Sequence, residues 1–335
     1  MKAIQLHAPA SLDSLKLADL PEPAAPGPGE ISVRIRASSL NYHDYAVVKG
    51  MLPTQDKRIP MSDGAGEVTA VGEGVTGYAV GDQVVSTFFP DWLDGIPPAN
   101  GFQRVPGDGI DGYACEMVTA PATAFTHVPK GYTPAEAATL TCAGLTAWRA
   151  LFVDNAVKPG DMVLVQGSGG VSVFALQFAK MAGAEVIATS SSDAKLERLG
   201  SLGADHLINY RDTEAWGAKA MELTQGRGVD CVVEIGGPGT LGQSMMAARI
   251  GGHIALIGVL TGFAGPVQTG LLMAKNIRLQ GLTVGSRQHQ LDMIEAIEAN
   301  GIKPVVDKHF LLAELADAFR HQESGAHFGK IIVDI

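Results

Sequence analysis

Three glycines within four residues, Gly167, Gly169 and Gly170, follow the apolar run Val163-Leu164-Val165. After them comes a proline-free apolar segment from Val171 to Met181. Such a run suits a strand buried on both faces, and the glycines suit backbone that turns sharply and approaches a ligand. The segment after them suits a helix. A strand, a glycine turn and a helix start aim unpaired backbone N–H groups and the positive end of the helix dipole at one spot, which favours a phosphate. Against the dinucleotide pattern G-x-G-x-x-G/A the matches are Gly167, Gly169 and Ser172, a small residue that still lets helix and strand pack closely. In a chain with 41 glycines the motif alone is weak, and a plain tight turn is its rival. Context has to decide.

A carboxylate that reads an adenosine ribose belongs at the end of the second strand, about 20 residues past the first glycine. Here that strand is Glu185-Val186-Ile187-Ala188-Thr189, so Glu185 lies at the wrong end. Ser190 closes it, and Lys195 follows one turn into the next helix. A small hydroxyl with a nearby cation leaves room for a 2′-phosphate, so NADP(H) is expected in preference to NAD(H). Asp193 reads as the N-terminal cap of the helix carrying Lys195.

Around these residues the elements fall into three stretches. Residues 1–38 and 64–87 alternate polar and apolar between glycines and prolines, the pattern of antiparallel β-structure, and read as too glycine-rich for helices. Residues 88–112 carry Phe88, Phe89, Trp92 and five glycines without period. They form either a wall of a functional site or a packed surface loop anchored by Trp92. From Thr133, with Glu136 three residues on as a capping box, helices begin, including one over 143–152. Strands at 162–166, 185–189, 206–208, 229–234 and 253–258 then alternate with helices at 171–182, 193–202, 214–224 and 240–249. That order predicts an α/β, doubly wound parallel sheet of Rossmann type, and it supplies the context the glycine turn requires. Residues 270–335 return to mixed structure, with a strand at 279–284, a helix at 288–299, 306–311, a helix at 313–322 and a last strand at 330–333. The last strand is expected to pair with the first lobe. The expected domains are therefore 1–125, 126–268 as an insertion, and 269–335.

Hydrophobic residues at 46% supply a large core, and a net charge of −10 argues against a nucleic-acid or anionic-membrane surface. No apolar run reaches a membrane span and the first residues lack a signal-peptide pattern. Cys115, Cys142 and Cys231 form no CxxC pair, which fits a reducing cytoplasm.

Several segments together carry a family resemblance: Gly66-Glu67-Val68, Val80-Gly81-Asp82-Gln83-Val84, Ala143-Gly144-Leu145-Thr146-Ala147-Trp148, Gly167-Ser168-Gly169-Gly170-Val171, Leu202-Gly203-Ala204-Asp205 and Gly251-Gly252-His253. Over essentially its whole length the chain resembles the medium-chain dehydrogenase/reductase superfamily, and within it the zinc-free, alcohol-dehydrogenase-like and quinone oxidoreductase branch. The resemblance implies a GroES-like, β-barrel-type catalytic domain with the Rossmann domain inserted. Asn41 stands where zinc members place a Cys, and Ser62 where they place a His; only Cys142 falls at a third ligand position. The loop 88–112 has no Cys for a structural zinc. No metal is expected.

By resemblance, Asn41 and Thr146 face the nicotinamide, and Ser168 and Val171 belong to the phosphate turn. Tyr210 and Ser190 meet the adenosine end, and Lys330 approaches the 2′-phosphate. Gly236, Ile257 and Gly258 lie at the carboxyl edge of the sheet, and Val284 and Ser286 approach from the second lobe. Asn41, Tyr42 and His43 are the catalytic candidates. Tyr45, the ribose hydroxyls and water are other proton sources, and a structural role for His43 is its rival reading. Asp44 reads as a local cap, and Cys142 as a packing residue.

The expected activity is a hydride transfer between NADP(H) and a carbonyl or alcohol, quinone or enone bound in an interdomain cleft. Phe88, Phe89, Trp92 and residues 262–271 would be its walls. Alternatives are an inactive nucleotide-binding protein of the same fold, for instance one that binds RNA, and an NAD-using alcohol dehydrogenase. No nucleic acid or membrane partner is expected. A homodimer is expected, through the sheet edge at 253–270.

Overall fold

Two patterns, one of continuous apolar runs and one alternating, mark the strands of the two large sheets, and Lys2–Leu6 pairs with Leu15–Asp19 in a separate two-stranded sheet. The structure, a computed structural model, describes residues 1–335 and divides them into two compact units: Met1–Leu145 with Gly285–Ile335, and Thr146–Val284.

The second unit is built on six parallel strands. In spatial order they are His206–Asn209, Glu185–Ser190, Met162–Gln166, Val229–Glu234, Ala248–Leu256 and Arg278–Gly281. Numbered along the chain the order is 3-2-1-4-5-6, and the direction of winding reverses beside Met162–Gln166, where open α/β sheets bind ligands. Val163, Leu164 and Val165 are wholly buried because helices cover both faces. Leu164, Ile187, Val232 and Ile254 pack with Trp216, Leu241 and Met245 on one side. Phe178 packs with Phe174, Trp148 and Phe152. Each side chain buried this fully contributes roughly 1.5–3 kcal/mol.

In the first unit the ladder runs Val306–Leu311, Lys330–Asp334, Glu30–Ser39, Ala65–Val71, Gln83–Ser86, Phe125–His127, with Met117–Pro121 also on Glu30–Ser39. It forms an open path. The closing strand pairs antiparallel with Glu30–Ser39, Ile332 opposite Ser39, so the second unit is an insertion in the first.

Several expectations change here. The divisions lie at 145/146 and 284/285, not at 125/126 and 268/269. The helix Pro134–Ala138 packs on Glu30–Ser39 and Gln83–Ser86, and the Thr141 hydroxyl donates to Ser86 O at 2.9 Å, which holds this segment in the first unit. Arg278–Gly281 completes the parallel sheet instead of opening the return to the first unit. It is also the edge strand, so the edge is not at 253–270.

A helix, Tyr42–Val48, forms in the first unit where none was expected; it buries Ala46, Val47 and Val48. The stretch 143–152 is not one regular helix. Wide turns at Leu140–Gly144 and Arg149–Val153 flank Leu145–Trp148, a form common near functional sites. Phe88, Phe89 and Trp92 pack on one another and on Phe102, and all three are buried. Their burial fits the packed-loop reading. Phe263, in contrast, is 67% exposed. No helix is long and apolar enough to cross a membrane.

Candidate functional site

Gly167 has φ +71 and its N–H donates to Thr189 O at 2.8 Å, so the chain turns away from its strand through a conformation that side-chain-bearing residues rarely adopt. Gly169 is the N-cap of the 12-residue helix Gly170–Met181 and brings no side chain to cap it. The first N–H groups of that helix, at Gly170 and Val171, are thus left to an outside acceptor. Ser172, wholly buried, replaces the third glycine and donates its hydroxyl to Gln166 O at 2.5 Å, tying helix to strand. Ser168 is buried beside it.

Two polar residues close two adjacent buried strands, and they meet. Gln166 Nε2 donates to Glu234 Oε2 at 2.7 Å, and Ser244 Oγ donates to the same oxygen. On Oε1 the carboxylate accepts Gly236 N at 2.8 Å, Gly237 N at 2.9 Å and Thr240 Oγ1 at 2.5 Å. Gln166 Oε1 faces Ile235 N and Gly236 N. Glu234 O accepts Ile257 N and Gly258 N. A Cβ on Gly258 would sit 2.2 Å from Ile235 O, and one on Gly236 would sit 2.2 Å from Thr240 Oγ1. The turn at 167–170 and the loops carrying Gly236, Ile257 and Gly258 are therefore one hydrogen-bonded assembly at the carboxyl edge. Gln166 and Glu234 were not foreseen as its hub. Their signal was a polar residue ending an otherwise apolar strand beside a glycine.

At the next strand end Ser190 is buried and its carbonyl accepts Tyr210 N at 3.1 Å. Tyr210 is exposed, and Lys195 is half-buried on the helix Asp193–Ser201. The N-cap of that helix is Ser192, not Asp193, whose carboxylate instead accepts Asn209 Nδ2 at 2.7 Å. Thr146 is buried. Val284, at the end of this unit, has φ +46, a strained setting for a β-branched residue.

The first unit holds Asn41, Tyr42, His43, Ser286 and Lys330. Two of these depart from expectation. Ser286 is wholly buried and caps the helix Arg287–Asn300, accepting His289 N at 3.2 Å. Lys330 does not reach outward toward a phosphate. It is 3% exposed, and its Nζ donates to Leu40 O at 2.7 Å and Asn41 Oδ1 at 2.5 Å, with Asp63 Oδ2 at 3.5 Å. Its strand pairs with Glu30–Ser39, which points the ammonium under the start of the helix Tyr42–Val48.

The positions where zinc members hold Cys and His are joined here by hydrogen bonds. Asp44 accepts Asn41 N at 3.0 Å and Ser62 N at 2.8 Å. Asn41 Nδ2 lies 3.4 Å from both Ser62 Oγ and Ser39 O. Met61, buried with φ +80, precedes Ser62, and Gly112 leaves room for its backbone. Asp63, wholly buried, accepts Ser39 Oγ at 2.6 Å. Burial pushes its carboxyl up to about 6, against the pull of Lys330.

His43 carries two carboxylates. Its Nε2 lies 2.9 Å from Asp108 Oδ2, and its Nδ1 lies 3.5 Å from Asp44 Oδ1, an ion-pair contact longer than a good hydrogen bond. Burial opposes the charge, but the Asp108 and Asp44 contacts outweigh it and raise His43 to about 9. With both ring nitrogens facing carboxylates, His43 is a fixed cation that pins the loop at Asp108, not a free proton donor. Tyr45 is likewise engaged, donating to Glu323 Oε1 at 2.8 Å.

His43 makes stability pH-dependent. A folded-state pKa raised from 6.5 to about 9 stabilises fully below pH 6.5, and the contribution is lost as pH rises through 9; the shift corresponds to about 3 kcal/mol. Denaturant midpoints between those pH values are expected to fall in the native protein and to stay nearly level in His43→Gln. Parallel declines would show that His43 is not the group responsible.

Two family models match: "Alcohol dehydrogenase GroES-like domain" over residues 27–130 and "Zinc-binding dehydrogenase" over residues 170–299. A zinc-type alcohol dehydrogenase-like protein of Schizosaccharomyces pombe is 43% identical over 334 residues, covering 97% of this chain and 96% of its own. A solved NAD-dependent alcohol dehydrogenase is 33% identical, with TM-score 0.91 and full coverage of both chains. A mycobacterial protein solved with NADPH is 29% identical, with TM-score 0.84 and full coverage of both.

Proposed function

The chain belongs to the medium-chain dehydrogenase/reductase superfamily, and from that premise we propose that it transfers hydride between NADP(H) and a carbonyl or alcohol, quinone or enone without catalytic zinc. The observation that carries the zinc-free reading is the Lys330 ammonium on Asn41 Oδ1. A fixed positive charge opposes a dication there, and an amide with a hydroxyl is a poor donor set for zinc, which takes thiolate, imidazole and carboxylate.

The turn at 167–170 and the start of the helix Gly170–Met181 fit a pyrophosphate, and Ser190, Lys195 and Tyr210 fit the adenosine end with its 2′-phosphate. Asp193 is engaged by Asn209, which reduces its fitness to select a ribose hydroxyl. When bound, the nicotinamide supplies or accepts the hydride. Asn41 presents its amide N–H groups to a carbonyl oxygen, where a donor stabilises developing negative charge. Tyr42, half-buried next to Asn41, is the proton donor in this reading, since His43 and Tyr45 are tied to carboxylates.

The test mixes purified protein with NADPH or NADH and a panel of quinones, enones and aldehydes, following nicotinamide absorbance. Turnover with one class is expected, with NADPH bound about tenfold tighter than NADH, ~1.4 kcal/mol. Silence across the panel despite NADPH binding would remove the enzymatic reading. Equal affinities would remove the NADP preference, and stoichiometric zinc on metal analysis would remove the zinc-free mechanism.

A further inference from the structure

We infer that Lys330 is a positioning residue that fixes which way the Asn41 side-chain amide faces, holding its oxygen inward so that its NH2 is presented to the ligand. The inference rests on the reading that Asn41 meets nicotinamide or substrate.

Asn41 sits at the N-cap of the helix Tyr42–Val48, where an asparagine usually turns its side-chain oxygen onto the helix N–H groups. Here Asn41 and Asp44 form a capping box, but the Asn41 side chain makes no cap hydrogen bond of full strength. The first-turn acidic residue Asp44 takes the Asn41 backbone N–H, and the shortest contact of the Asn41 side-chain oxygen is with Lys330. A lysine ammonium has donors only, so the atom it meets at 2.5 Å must be Oδ1. The same ammonium is anchored at Leu40 O, and Asp63 balances its charge. Its position is thus set by the strand Lys330–Asp334, not by a flexible surface stem.

With Oδ1 fixed, Nδ2 has to face the other way, where Ser39 O and Ser62 Oγ both lie at 3.4 Å and the Asp63 carboxylate is a further acceptor. The Ser39 and Ser62 contacts are near the limit of a hydrogen bond. The buried amide is held at 2.5 Å on its acceptor side, while its contacts to Ser39 and Ser62 on the donor side are longer. An oxygen on the ligand could complete what Ser39 and Ser62 leave weak. A reversed amide would face the ammonium with its own NH2, donor against donor, so the orientation is one-sided.

The experiment is a cycle of variants in the full chain. Because Lys330→Met alone strands the Asp63 carboxylate, Lys330→Met is combined with Asp63→Asn as a neutral pair, and Asn41→Ala is added to native and neutral backgrounds. Lys330→Arg, which keeps a charged donor, serves as the conservative variant. Three readouts are taken: kcat on whichever substrate is turned over, NADPH affinity by fluorescence titration, and the Asn41 side-chain amide signals in nitrogen-labelled free protein, assigned by their loss in Asn41→Ala.

In the native protein one pair of Asn41 amide signals is expected. In the neutral pair they double as the amide samples both orientations, chiefly the reversed one, and kcat falls about 10- to 100-fold. Adding Asn41→Ala to the neutral pair costs far less than adding it to the native chain, and Lys330→Arg recovers most of the loss. Unchanged amide signals in the neutral pair, or losses that simply add, would overturn the positioning role. If the native protein turns over no substrate while the amide signals still depend on Lys330, the positioning stands and the enzymatic reading fails.

Discussion

Glu234→Gln is expected to lower the free energy of unfolding by about 3 kcal/mol and to weaken NADPH binding by about tenfold, although it changes a single atom's chemistry. All five groups facing the carboxylate are donors. Oε1 meets the N–H groups of Gly236 and Gly237 and the hydroxyl of Thr240, and Oε2 meets Gln166 Nε2 and the Ser244 hydroxyl. A glutamine must put an NH2 on one side or the other. Toward Oε1 it opposes two backbone N–H groups, which cannot reverse. Toward Oε2 it opposes Gln166, whose own amide cannot turn without removing the acceptor of Ile235 N and Gly236 N. Either way a buried donor is left unpaired, and the loop with Gly236 and Gly258 loses its tie to the glycine turn. Urea midpoints and a fluorescence titration with NADPH check both parts. A variant within 1 kcal/mol of the native protein (about fivefold in the folding equilibrium) would show that the hub tolerates rearrangement.

Lys330→Met is expected to cost ~3–5 kcal/mol, the range for removing one partner of a buried pair and leaving the other uncompensated. Asp63 is wholly buried, and its neighbours Ser39 and Lys330 are the groups that meet Oδ2. The cost has a distinctive pH dependence. In the native protein burial has already lifted the Asp63 carboxyl to about 6 despite Lys330. A raised folded-state pKa favours the folded state below the ordinary carboxylate range and loses that advantage as pH rises through the folded value. Without Lys330 the carboxyl moves higher still, so the deficit should be small near pH 5 and full near pH 8. Adding Asp63→Asn should recover most of it. A deficit independent of pH, or one that Asp63→Asn does not relieve, would place the damage in lost packing around the lysine stem.

Much of the second unit was legible because its information is local. A buried parallel strand is a contiguous apolar run, a helix repeats within a few residues, and a left-handed turn demands glycine at one place; 162–166, 171–181 and Gly167 could be read that way. Family resemblance added the missing zinc ligands at Asn41 and Ser62. The role of Lys330 was misread because resemblance transfers a residue type, not its depth. On the strand Lys330–Asp334, between Val306–Leu311 and Glu30–Ser39, the side chain has only the interior to enter. Asp44 was legible as a local cap, but the helix Tyr42–Val48 it caps is only seven residues long, too short for a helical period to stand out, and the share Ser62 N takes of the same carboxylate is a tertiary contact.

The sequence alone determined the parallel sheet and the place of the glycine turn between its first strand and the helix after it, since each is written in neighbouring residues. Only the tertiary structure decided the divisions at 145/146 and 284/285, and only it showed three side-chain pairings. These join Gln166 to Glu234 across 68 residues, His43 to Asp108 across 65, and Asn41 to Lys330 across 289. Such contacts depend on strand order and register, which no local period encodes. The glycine turn is the part the chain announces, and the contacts of the buried Glu234 and Lys330 are the part only folding reveals.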